Sequence, residues 1–69
     1  LAGWQGEEVM KVLYYAVFIE GRPYYFGLEE LAKAFDFSNG YWLIQMAYIN
    51  TDRQLKYRYF NRERWEFID

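Results

Sequence analysis

The chain has 69 residues, a net charge of −2, and neither cysteine nor histidine. That length fits one domain near the lower limit for folding alone, and the missing residues exclude disulfide staples and ordinary zinc sites. A quarter of the residues are aromatic (eight Tyr, six Phe, three Trp), and each buries roughly 150–250 Å² when packed, so aromatics take the place of staples.

Charge is unevenly placed. Residues 1–51 carry Lys11, Arg22 and Lys33 against six acids, whereas Arg53–Arg64 holds five cations and one acid, Glu63. Any attraction for phosphate must come from that tract, because the chain as a whole is acidic. Its longest apolar run, Val9–Ile19, is interrupted by Lys11 and falls short of the roughly 18 residues that span a bilayer. With no secretory pattern either, the expectation is a cytoplasmic protein with no membrane partner. Residues 1–6 read as a flexible leader or expression remnant, and 7–69 as a single compact domain.

Val9–Ile19 is β-branched and aromatic, and both of its alternating sets are largely apolar. One set is Val9, Lys11, Leu13, Tyr15, Val17 and Ile19; the other is Met10, Val12, Tyr14, Ala16 and Phe18. Such a strand is central and covered on both sides, or covered on one side and by an oligomer on the other. Glu20-Gly21-Arg22-Pro23 is a turn, and Tyr24–Phe26 is the return strand of a hairpin.

A helix follows. Leu28, Leu31, Ala32 and Phe35 fall at i, i+3, i+4 and i+7, giving one apolar face. Glu29 and Glu30 sit at the positive end of the helix dipole, and Glu29 is spaced i, i+4 from Lys33. Asn39-Gly40 closes the element with left-handed or turn geometry.

Tyr41–Ile49 admits two readings, an apolar strand or a helix apolar all round, and pairing with the next run favours the strand. Asn50–Gln54 is a loop. Leu55–Phe60 alternates, with Leu55, Tyr57 and Tyr59 on one side and Lys56, Arg58 and Phe60 on the other. Asn61–Asp69 turns again and returns Trp65, Phe67 and Ile68 to the core. The predicted fold is α+β: a small ββαββ domain with one amphipathic helix packed on an antiparallel sheet, and a possible closing strand.

No catalytic constellation emerges. Ser38 and Thr51, the hydroxyls besides tyrosine, sit in turns, and the adjacent Glu29 and Glu30 would point about 100° apart on a helix. No glycine-rich phosphate loop matches. The expectation is a non-enzymatic protein without cofactor or metal.

The stretch Ile19–Asn39 resembles the Bro-N domain, the N-terminal domain of phage and baculovirus antirepressors. The residues that carry the resemblance are Gly21, Pro23, Tyr25, Phe26, Leu31, Ala32, Phe35, Ser38 and Asn39. It implies a phage-type, DNA-binding regulatory module. The chain has Leu28-Glu29 where that family usually has Lys-Asp. The helix LEELAKAF is similar also to those of excisionase and MerR-like regulators.

Two functional expectations follow. The first is a small DNA-associated regulatory module of phage or mobile-element type. In it Arg53, Lys56, Arg58, Arg62 and Arg64 hold phosphates, and Tyr57 or Tyr59 meets sugar or base. The second is a protein-interaction module (inhibitor, adaptor or homodimer) using exposed aromatic surface, with no nucleic acid.

Overall fold

The computed structural model describes residues 8–39 and 43–69. The expected leader at 1–6 lies outside them, as do Gly40, Tyr41 and Trp42. In chain order the elements are β1 (Val9–Ile19), β2 (Arg22–Phe26), a 3-10 turn at Leu28–Glu30, α1 (Leu31–Ser38), β3 (Leu43–Asn50), β4 (Leu55–Asn61) and β5 (Glu66–Ile68). The strands form one antiparallel sheet in the order β2-β1-β3-β4-β5. This is a small α+β domain, with the closing strand present.

The β1–β2 hairpin turns through two residues. Ile19 pairs with Arg22, and Glu20 and Gly21 between them have φ of 52° and 81°. Positive φ at both central positions is the type I′ geometry, whose twist matches that of the flanking strands. Pro23 falls within β2, which is tolerated because β2 is an edge strand.

The helix starts as a 3-10 turn, with Glu30 N–H donating to Gly27 O at 3.0 Å and Gly27 N–H donating to the Glu30 carboxylate at 2.8 Å. The Gly27 bond holds the Glu30 carboxyl below the usual carboxylate range, aided by the Lys33 ammonium 3.6 Å away. Lys33 therefore pairs with Glu30, not with Glu29 as the spacing suggested. The tighter first turn also shifts the apolar face. Leu31, Ala34, Phe35 and Ser38 face the sheet, while Leu28 and Ala32 are exposed. Ala34 is small enough to let the helix approach Val17 and Ile44 closely, and Ile19, Phe26, Phe35, Phe60 and Phe67 pack around that centre. Asn39 ends the helix in the left-handed region, its N–H shared by the carbonyls of Phe35 and Asp36.

Of the two readings of Tyr41–Ile49, the strand is right over the described residues. β3 is the middle strand, which accounts for an uncharged run with both faces in use. Its last residue, Asn50, organises the turn into β4. Its Oδ1 accepts the N–H groups of Asp52 and Gln54, both at 2.9 Å, and Nδ2 donates to Gln54 Oε1 at 3.2 Å.

The end of the chain departs from expectation. Phe67 returns to the core, but Ile68, paired with Tyr59, lies on the other face. Trp65 is 69% exposed with φ 55°, its ring stacked on Phe35 at 5.6 Å and edge-on to Phe60 at 4.9 Å. It lids the aromatic cluster from outside, from the turn that joins β4 to β5.

Glu20 occupies a left-handed position for which asparagine is better suited. Glu20→Asn should therefore raise stability by about 0.5–1 kcal/mol in urea denaturation. No gain in the midpoint would show that this turn is unstrained.

Candidate functional site

β4 decides where the chemistry goes. Its register against β3 pairs Arg58 with Met46, Tyr57 with Ala47, and Tyr59 with Gln45. The alternation of Leu55–Phe60 is as expected, but its orientation gives a surprise. Lys56, Arg58 and Phe60 point to the side that carries α1, and Leu55, Tyr57 and Tyr59 point to the side without it.

Arg58 is accordingly only 6% exposed. Its Nε lies 3.2 Å from Asp69 Oδ1, and its guanidinium stands 4.9 Å from the Tyr48 ring centroid. The Tyr48 hydroxyl donates to the same Asp69 oxygen at 3.4 Å. Arg58 thus anchors the end of the chain against β3. Lys56 shares that face and is half-buried.

The remaining cations are dispersed. Arg53 is in the β3–β4 turn with φ 64°. Arg62 and Arg64 are in the β4–β5 turn, at the far end of a strand roughly 20 Å long. Arg62 sits 5.8 Å from the Phe60 ring, and Arg64 Nε is 3.0 Å from Glu66 Oε2. The seven expected nucleic-acid residues therefore divide among two turns and both faces of the sheet, rather than converging.

What does converge is tyrosine. On the face opposite α1, Tyr14, Ala47 and Tyr57 form one row across β1, β3 and β4. The next row runs Tyr25, Ala16, Gln45, Tyr59, Ile68 across all five strands. Four tyrosines thus flank two alanines that are fully buried on a face no described helix covers. Tyr14 meets Tyr25 edge-on at 5.3 Å, and its hydroxyl neighbours that of Tyr57. Gln45 Nε2 donates to the Tyr59 hydroxyl at 3.2 Å. Around this centre stand Phe18, Leu43, Ile49 and Leu55, of which the two leucines are exposed.

Tyr57 and Tyr59 belong to the expected residues; Tyr14, Tyr25 and Gln45 do not. Tyr14 keeps its alternation with Ala16 and Phe18 on the open face, whereas before it β1 has register irregularities between Val9 and Lys11 and between Val12 and Tyr14. They carry Lys11 and Tyr14 to one face, although the sequence pattern put them on opposite sides. The readable signal was the pair of alanines, small residues set in aromatic strands where neighbouring rings need room.

Ser38 is buried and its Oγ donates to Phe35 O at 2.8 Å, while Thr51 is exposed in the β3–β4 turn. Among the described residues no group of three His, Cys, Asp or Glu could hold a metal, and no helix is long and apolar enough to cross a membrane. Compared with family models, curated proteins and solved structures, the chain matches none.

Two measurements follow. Desolvation, the neighbouring Tyr57 and its hydrogen bond together push the Tyr14 hydroxyl above the ordinary tyrosine range. The folded state then holds that proton more tightly than the unfolded one. Its contribution to stability is intact below about pH 10 and is lost as pH rises through the folded value. Ultraviolet titration should show a late-ionising tyrosine that Tyr14→Phe removes; eight tyrosines all titrating near the free value would refute the arrangement. Separately, Arg58→Ala should cost about 2 kcal/mol of stability, through packing lost against Tyr48 and the loosened chain end. A variant as stable as the parent would show Arg58 to be a surface cation.

Proposed function

We propose that this is a non-enzymatic protein-interaction module whose contact surface is the helix-free face of the sheet. The carrying observation is the outward row Leu55, Tyr57, Tyr59 beside Tyr14 and Tyr25, on a face where Gln45 is the polar centre. Tyrosines suit such a role, since each presents a large rigid apolar area with a hydroxyl at its tip. A contiguous apolar surface of this kind is unusual on a protein that acts alone.

Nucleic acid fits this face less well. Its strand residues include a single cation, Lys11, and binding to phosphate draws its strength from several. The exposed arginines, Arg53, Arg62 and Arg64, sit at opposite ends of β4, with Arg64 engaged by Glu66. The resemblance to the Bro-N domain lies in β2 and α1, elements that position the core more than this surface.

The test is a selection of peptides from a displayed random library against the immobilised chain. Selected ligands should lose binding to Tyr57→Glu and keep it with Arg62→Glu. In parallel, labelled duplex and single-stranded DNA should not bind at about 50 mM salt. Tight DNA binding with a steep salt slope, lost in Arg62→Glu, would replace this proposal with the DNA-associated one.

A further inference from the structure

We infer that the occupant of the open face is a second copy of this chain, packed sheet to sheet about a twofold axis. The inference rests on the interaction module proposed above and names its partner. Three observations carry it.

The first is hydrogen-bonding chemistry. In a twofold contact the same patch meets itself, so its polar groups must be able to pair with their own kind. Charged groups cannot do this, whereas tyrosine hydroxyls and glutamine amides both donate and accept. The centre of this face is built from Tyr14, Tyr25, Tyr57, Tyr59 and Gln45, with alanines between them. The Tyr59 hydroxyl, which now accepts from the Gln45 amide, retains capacity for a partner above it.

The second is the placement of charge. The strand residues on this face include two charged side chains, Lys11 near the start of β1 and Glu66 at the start of β5. Lys11 pairs with Ile49 and Glu66 with Asn61, so the two lie at diagonally opposite corners. A twofold axis in the plane of the contact, crossing that diagonal near the boundary of β3 and β4, sets each Lys11 over Glu66 of the other copy. Arg64, already on Glu66, then lies at the rim.

The third is area. Five strands about 4.8 Å apart, with rows covering roughly 20 Å, give about 400 Å² in plan and roughly 500 Å² with side-chain relief. Two such faces bury on the order of 1,000 Å², the lower bound of a specific interface. Sheets stacked about 10 Å apart would complete the layer that one helix leaves unfilled.

Sedimentation equilibrium of the full chain tests this. A monomer–dimer equilibrium is expected, with a dissociation constant on the order of 10 µM for so modest an area. Tyr57→Glu and Tyr59→Glu should each weaken it by at least about tenfold, with circular dichroism unchanged. Lys11→Glu should weaken the dimer, and Lys11→Glu with Glu66→Lys should restore it. A monomer at about 500 µM, or a dimer indifferent to all these changes, would overturn the inference. If a monomeric chain still bound selected peptides in a Tyr57-dependent way, the interaction module would stand and the second copy alone would fall. Failure of both would remove the face as a binding surface.

Discussion

One helix on a five-stranded sheet can cover only one face, and much of this protein follows from that inequality. α1 is a short element of eight residues, and it seats Ala34 against Val17 and Ile44 near the middle of the sheet. Everything on the helix side beyond its reach must close by other means. At the β2 end, Tyr24 and Phe26 meet Phe37 ring to ring. At the β5 end, Phe60, Phe67 and Trp65 gather around Phe35. On the same side, Arg58 lies over the Tyr48 ring and is paired with Asp69. Aromatic rings and a buried cation thus do the work that a second helix would do in a larger domain.

The other face has no described helix at all, and there the composition is reversed from what an ordinary solvated sheet shows. An antiparallel sheet with one wet side normally alternates apolar inward and polar outward. β4 does nearly the opposite, sending Lys56 and Arg58 toward the helix side and Leu55, Tyr57 and Tyr59 away from it. The inversion is tolerated because Arg58 has its partner and because tyrosines keep their hydroxyls at the surface, that of Tyr59 bonded to Gln45. It also explains why cations that are neighbours in sequence do not form a patch. A strand distributes consecutive side chains to opposite faces, and two tight turns distribute the rest to opposite ends.

Strain is confined to the connections. Glu20, Arg53 and Trp65 all have positive φ without being glycine, and each lies in a hairpin turn between paired strands. The turns are short because the strands they join are immediate neighbours in the sheet, so the chain reverses direction in as little space as the ladder allows. β1 joins the two halves. It pairs with β2 along Tyr15–Ile19 and with β3 along most of its length, and its irregular register re-aims Lys11 toward the open face and Val12 toward the helix side.

The sequence by itself determined the order of elements, the hairpin at Glu20-Gly21, the helix and its end at Asn39, and the alternation within Leu55–Phe60. These are local properties, set by backbone preferences at Gly, Pro and Asn and by periods of 2 and 3.6 residues. It did not determine which face of β4 is inside, because Leu55, Tyr57, Tyr59 and Lys56, Arg58, Phe60 are both mixed sets that either side could accept. Only tertiary structure decided that, through the register of β4 on β3 and the pairing of Phe60 with Phe67 beneath Phe35. The same holds for Lys11, which needed the irregular register of β1 to reach the open face, and for the helix face, which needed the 3-10 turn at Leu28–Glu30. A surface is a property of strands brought together from distant parts of the chain. Here it was the ladder, not the run of basic residues, that placed four tyrosines side by side and sent the arginines elsewhere.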